Sequence, residues 1–211
     1  MFTRRTVRNS VTATGIAAAL SLSAVGVAAA EPPGIPDAAT AKSQLAELTV
    51  QADGSQDGYD REKFNHWIDQ GEGCDTRDEV LKRDGTDVNV GADCAVTGSW
   101  ASPYDDATWT EAGDVDIDHV VPLAAAWRTG ASGWTDAERE AYANDLEGPQ
   151  LIAVTDNVNQ EKGDKSPDAW KPPSTGYWCT YASMWVGVKA KYELTVNEAE
   201  KTALDEMLAS C

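Results

Sequence analysis

The tightest constraint on this chain is a set of four cysteines lying behind an export signal. Residues Met1 to Ser10 carry Arg4, Arg5 and Arg8 and no acid, and an apolar run from about Val11 to Ala29 ends in Ala28-Ala29-Ala30. A basic start, an apolar middle and a small-residue end read as a secretory signal peptide over residues 1–30, cleaved before Glu31. The alternative is a membrane anchor, but the run is rich in Ala, Ser and Gly and stops at a cleavage pattern. Cys74, Cys94, Cys179 and Cys211 all follow it. In an oxidising compartment an even count predicts two disulfides. A zinc site built from four thiolates is disfavoured because no CxxC pair exists. Pairing by neighbourhood joins Cys74 to Cys94 and Cys179 to Cys211.

Removing the signal from the 211 residues leaves enough chain for one domain with a sizeable core. Eight Trp and a hydrophobic fraction of 42% argue against disorder. No later stretch is apolar enough to span a bilayer, so no membrane association is expected after cleavage. The formal charge is −18, and because the signal holds three Arg and no acid, the remainder stands at −21. Nucleic-acid binders usually carry a basic footprint, and this chain as a whole does not. The segment from Asn157 to Lys191 is different: Lys162, Lys165, Lys171, Lys189 and Lys191 outnumber Glu161, Asp164 and Asp168. It reads either as a local basic face or as ordinary charge scatter on a solvated surface.

The pattern along the chain predicts an α+β domain. Glu31 to about Thr40 is Pro- and Ala-rich and reads as a linker, with the domain proper starting near residue 45 after a linker over 31–44. Short helices are expected over Lys42–Val50, Arg61–Gln70 (Phe64, Trp67 and Ile68 on one face) and Arg77–Arg83. Val88 and Val90 alternate with Asn89 as in a strand. A further strand runs from Val115 to Val121, broken by Pro122. Leu123–Arg128 reads as helix, and Thr135-Asp-Ala-Glu138 is a capping box opening another, to about Asn144. Gln150–Val154 is a short buried strand, followed by a helix from Thr155 to Lys162 that Gly163 stops. Thr195-Val-Asn-Glu198 reads as a second capping box. Trp127, Trp178 and Trp185 are the expected core aromatics.

Only two histidines exist, His66 and His119. His66, in Phe64-Asn-His-Trp67, reads as structural. His119 is placed differently. Asp118 precedes it, Pro122 ends its strand and exposes the strand end, and Asp156, Asn159 and Lys162 follow at helical spacing on one face. Strand, strand and helix thus gather an imidazole, a carboxylate, an amide and an ammonium. Carboxylate and amide oxygens suit a hard cation such as Mg²⁺ or Mn²⁺, and a neutral imidazole suits removal of a proton from water. With an unperturbed pKa the ring would lose that role below about pH 6. There is no G-x-S-x-G for a serine hydrolase and no EF-hand spacing for Ca²⁺.

Asp118-His-Val-Val-Pro-Leu123, followed after a short strand by Asn159-Gln-Glu-Lys-Gly-Asp-Lys165, resembles the HNH family of ββα-metal (His-Me finger) endonucleases. The similarity is greatest to a secreted actinobacterial branch that includes extracellular Streptomyces nucleases, and Tyr59-Asp-Arg61, Cys74-Asp-Thr-Arg77, Tyr177-Trp-Cys179 and Val188-Lys-Ala-Lys-Tyr192 share in it. The resemblance implies a nuclease domain over residues 45–211, with Asp118 and Asn159 as metal ligands and His119 as general base. The middle Asn that orients the histidine corresponds to Asn144 or, nearer the strand, to Gln150. Lys162 and Lys165 would hold a neighbouring phosphate. Because adjacent strand residues point to opposite faces, Asp118 and His119 reach one phosphate only if the strand is irregular, and Asp116 is the substitute ligand otherwise. The implied reaction is phosphodiester hydrolysis in DNA, and in RNA too if the site admits it, by a monomer using one divalent cation. A non-catalytic extracellular binding protein on the same fold is the competing reading. It predicts loss of the base, the acid or the helix Asn, and all three are present.

Overall fold

The computed structural model describes residue 1 and residues 31–211, so the signal peptide expected over 1–30 lies outside the described residues but for Met1. Among the described residues seven α-helices and seven short strands follow in the order α1 (Ala38–Glu47), β1 (Asp69–Gly71), β2 (Cys74–Asp75), α2 (Thr76–Asp84), β3 (Thr86–Val90), β4 (Val96–Ala101), β5 (Thr108–Trp109), β6 (Val115–His119), α3 (Leu123–Thr129), α4 (Asp136–Ala143), β7 (Leu151–Thr155), α5 (Asp156–Lys162), α6 (Trp178–Lys191) and α7 (Glu198–Leu208). The domain is α+β, with three small antiparallel sheets ordered β1-β2, β3-β4-β5 and β6-β7. Among the described residues no helix is long and apolar enough to cross a membrane.

The β6–β7 pair is the partition on which everything else is arranged. Its register is regular from Val115 opposite Thr155 to His119 opposite Leu151. Strand alternation therefore divides its side chains between two cores. Val115 and Ile117 from β6, with Leu151 and Ala153 from β7, face a smaller core built with Val80, Leu81, Trp100 and the Cys74–Cys94 disulfide. Ile152 and Val154 face the larger core of α1, α3, α4, α6 and α7. A two-stranded sheet leaves an unpaired edge of backbone groups that must find partners. Here α2 supplies them: Asp84 accepts from the Ala153 backbone N–H, and Arg83 donates to the Leu151 carbonyl. Arg77 binds the carbonyls of Ala112 and Val115 and so fixes where β6 begins.

Both disulfides pair as the spacing predicts, Cys74 with Cys94 and Cys179 with Cys211. The first closes a loop of 20 residues around α2 and β3, and the second ties the start of α6 to the chain end beyond α7. Trp127 and Trp185 are buried as expected, whereas Trp178 is only half-buried and donates its indole N–H to Pro172. Trp100, not foreseen as core, is among the largest fully buried side chains, its indole N–H bound to the Leu81 carbonyl.

Several local expectations are corrected. The stretch 31–44 is not a free linker. Asp37 caps α1, which starts at Ala38, and Ala41 and Leu45 are buried in the larger core. The helix expected over 61–70 shrinks to a 3₁₀ turn at Arg61–Phe64, because Trp67 takes a left-handed conformation (φ 60°) and the chain leaves into β1. Strand β6 stops at His119, although the Val120 backbone N–H still bonds the Gln150 carbonyl. The box at Thr135 and Glu138 forms as read. That at Thr195 and Glu198 does not. The backbone N–H groups of Thr195 and Val196 bind the carbonyls of Thr129 and Thr49, Val196 bridges to Val50, and Asn197 caps α7 instead.

Candidate active site

At the end of β6, beside α5, lies a recess of about 460 Å³ lined by Arg61, Asp116, Asp118, His119, Asn159 and Asp164 among others. Strand, loop and helix converge there for a local reason. Pro122 lacks a backbone N–H and closes the strand, while β7 runs directly into α5, so the far ends of both elements open on one side.

Alternation is kept along β6, and it separates the two motif residues. His119 lies on the side of the smaller core and is only 5% exposed. Its ring stacks on Trp67 with centroids 5.4 Å apart and planes inclined by 26°. The left-handed backbone at Trp67, an uncommon state for a bulky residue, delivers the indole to that position. The imidazole Nε2 sits 2.9 Å from the Ala143 carbonyl oxygen. A carbonyl can only accept, so Nε2 carries the proton and Nδ1 is the basic nitrogen of the neutral ring. Burial lowers the His119 pKa to about 3, and the facing Arg61, His66 and Lys162 charges act in the same direction. The ring is thus an unprotonated base throughout the ordinary pH range.

Asp118 lies on the opposite face, 4% exposed. One of its carboxylate oxygens accepts from the Tyr104 hydroxyl at 2.6 Å and the other from the Lys162 ammonium at 2.8 Å. Burial pushes the Asp118 carboxyl up and the Lys162 ammonium down, and their contact opposes both shifts, so the two form a buried ion pair. Lys162, 0% exposed, also donates to the carbonyl of His119 at 3.0 Å. The sequence places Lys162 as a phosphate holder. Its helical spacing from Asn159 is right, but it faces inward and braces the strand end.

Asp116, two residues back on the face of Asp118, accepts from the Asn159 side-chain amide at 3.1 Å. Both line the recess. One carboxylate and one amide, adjoining and open to the recess, form the oxygen donor set a hard divalent cation takes, with water completing the shell. Asp118 offers less, since both oxygens already have donors. Among the described residues no group of three or more His, Cys, Asp or Glu side chains is arranged as a metal site. The residues present therefore fit a cation held by few protein ligands, not a closed structural site.

Neither candidate for the middle motif residue is hydrogen-bonded to the imidazole. Asn144 accepts from the Ile68 backbone and the Thr76 hydroxyl, and donates to the carbonyls of Asn65 and Glu140. It locks the Asn65–Ile68 loop to the end of α4, which holds Trp67 over His119 and leaves the preceding Ala143 carbonyl to orient the ring. Gln150, fully buried, clamps both backbone groups of Val121 just past the strand end. Lys165 is exposed and bonds the Glu161 carbonyl outside the recess. The basic face that was one reading of 157–191 does not form. Lys162 and Lys189 are buried in ion pairs, Lys191 pairs with Asp145, and Lys171 pairs with Glu206. Three contributors went unassigned in the sequence. Arg61 lines the recess, Trp67 carries the histidine, and Tyr104 holds Asp118. The Tyr59-Asp-Arg61 stretch was a usable signal for the first, whereas nothing local marks the other two.

No solved structure matches the chain. A protein of the fungus Arthroderma benhamiae, described as an uncharacterized secreted protein, is 61% identical over 181 residues, covering 85% of this chain and 89% of the relative. With two disulfides, that likeness marks the chain as extracellular. The family model that matches residues 75–207 is described as GmrSD restriction endonucleases, C-terminal domain, and it takes in β6, β7 and α5 whole. On this match the chain belongs to the family of the GmrSD restriction endonuclease C-terminal domain.

Proposed function

We propose that the protein is a secreted endonuclease of the HNH type that hydrolyses phosphodiester bonds of DNA, and of RNA where the recess admits it. The observation that carries this reading is the state of His119: a neutral imidazole whose Nε2 is pinned by the Ala143 carbonyl and whose ring lies against Trp67. With Nε2 tied to a carbonyl, Nδ1 is the one nitrogen left to accept a proton, and the ring stands in the unprotonated form that a general base needs. The likeness to secreted actinobacterial nucleases rests on the motif residues alone, and the matched relative is fungal.

In the proposed reaction His119 takes a proton at Nδ1 from the water that attacks phosphorus. Trp67 and Ala143 hold the ring through that transfer, so little rotational freedom is lost on reaching the transition state. The low pKa of the buried ring means it need not first shed a proton at neutral pH. Asp116 and Asn159 are the residues that would hold a Mg²⁺ or Mn²⁺ ion, with Asp118 available only if Lys162 moves away. Bound there, the ion would supply Lewis-acid stabilisation of charge on the phosphoryl and leaving oxygens. Lys162, through its bonds to Asp118 and the His119 carbonyl, keeps the strand end in place.

The test is the purified mature protein incubated with plasmid, linear duplex, single-stranded DNA and RNA in Mg²⁺, Mn²⁺, Ca²⁺, Zn²⁺ or EDTA. Cleavage that needs a divalent cation and is lost in His119→Ala is expected. Cleavage that persists after exhaustive chelation would remove the metal mechanism, and cleavage at the wild-type rate by His119→Ala would remove the assignment of the base.

A further inference from the structure

A recess that takes a phosphodiester needs positive charge facing the phosphate, and the protein as a whole is strongly acidic. Arg61 is the sole Lys or Arg lining the recess among the described residues. Most other cations among the described residues are engaged: Lys82 by Glu79, Arg83 by Asp84, Arg128 by Asp53 and Asp164, Arg139 by Asp136, Lys162 by Asp118, Lys171 by Glu206, Lys189 by Glu200, Lys191 by Asp145 and Lys201 by Asp205. Arg61 has no carboxylate at ion-pair distance among the described residues, and its side chain is exposed. Its Nε donates to His66 Nε2 at 3.3 Å, which leaves the terminal guanidinium nitrogens without a protein partner among the described residues. That free edge is the one that pairs with two oxygens of a phosphate.

His66 is itself fixed. It lies edge-on to Trp67, with centroids 5.4 Å apart and planes inclined by 69°, and Trp67 in turn stacks on His119. Arg61, His66, Trp67 and His119 form one continuous series, so the guanidinium and the base are held relative to each other by the same loop. Arg61 and His119 both line the recess, so the guanidinium charge shares it with the reacting position.

We propose that Arg61 binds the scissile phosphodiester through its free guanidinium edge, and that His66 is the positioning residue that aims it. The proposal rests on the nuclease reading of the recess, and its test separates the two. Wild type, Arg61→Ala, Arg61→Lys, His66→Leu and His66→Gln are compared in two assays. One measures cleavage of matched DNA and RNA single strands in Mg²⁺. The other measures fluorescence anisotropy of the same strands in EDTA. Arg61→Ala should weaken metal-free binding and lower kcat/KM roughly ten- to hundredfold. It should also make log affinity less steep in log salt by about 0.7, one phosphate contact fewer. Arg61→Lys should recover only part, because an ammonium has no fork. His66→Leu should fall between, and His66→Gln, whose amide oxygen can accept from Nε, should restore most of the loss. Thermal melts identify any variant that fails to fold, and exposed Arg61 should tolerate replacement. Unchanged binding and kcat/KM in Arg61→Ala overturn the proposal even if the wild type is an active nuclease. An inert wild type that loses strand binding in Arg61→Ala overturns the nuclease reading and leaves the phosphate site standing. A His66→Gln variant no better than His66→Leu removes the positioning role.

Discussion

Replacing His119 by Gln should change how stability depends on pH, and the size of the change follows from burial. In the folded chain the ring has a pKa of about 3, whereas in the unfolded chain it titrates near 6.5. Between those values the unfolded chain binds a proton that the folded chain refuses. Stability therefore rises with pH across that window, at roughly 1.4 kcal/mol per pH unit for one site. The contribution is fully present above about pH 6.5 and is lost as pH falls toward 3. From about pH 7.5 to about pH 4.5 this one ring should cost the wild type about 3 kcal/mol. Other groups add slopes of their own. Asp118, whose pKa burial raises, has the opposite sign, because the folded chain takes up its proton before the unfolded chain does. The difference between wild type and His119→Gln cancels those shared terms, and Gln keeps an N–H that can reach the Ala143 carbonyl. Urea denaturation of both proteins at several pH values measures it. The wild type should lose about 3 kcal/mol relative to the variant across that range. A difference that stays constant within about 0.5 kcal/mol would refute the buried, neutral ring. The same burial moves the acid limit of the base well below the value near pH 6 that an unperturbed imidazole would set.

His119→Ala should lower the cleavage rate by roughly 10²–10⁴, and, because the ring is packed on Trp67, it should also lower the melting temperature. Asp116→Asn and Asn159→Ala should each weaken Mn²⁺ binding measured by calorimetry while leaving the melting temperature near wild type. Wild-type Mn²⁺ affinity in both would show that the cation sits elsewhere. Asp118→Asn should destabilise the fold by about 3–5 kcal/mol, because it strands the buried Lys162 ammonium. Adding Lys162→Met should recover part of that loss in a denaturation experiment. Replacing Cys179 and Cys211 together by Ser should cost about 4 kcal/mol in the chain-entropy model and raise hydrogen exchange first in α7.

Much of the fold was written in short-range signals. The strand pair and α5 were legible because apolar alternation, Pro122 and Gly163 mark where each element starts and stops, and these act within a few residues. The disulfides followed from export and from cysteines close in sequence. The two failed helix ends, at 61–70 and at Thr195, have one cause. In each, distant backbone carbonyls or a tertiary stacking partner outbid local propensity, as Thr129 and Thr49 do for Thr195 and Val196.

The sequence by itself determined that one histidine, an acid before it and an amide on a following helix would meet at a strand end. Local spacing fixes which residues share a strand or a helix face. Only the tertiary structure decided what each does there. Strand alternation turned Asp118 away from His119 and into the ion pair with Lys162, and it left Asp116 beside Asn159. A left-handed residue 52 positions before the histidine brought Trp67 over its ring and carried Arg61 to the recess. Pairings of that kind depend on packing between segments far apart in the chain. Burial then sets the charge state, because an imidazole removed from water loses the solvation that its protonated form requires.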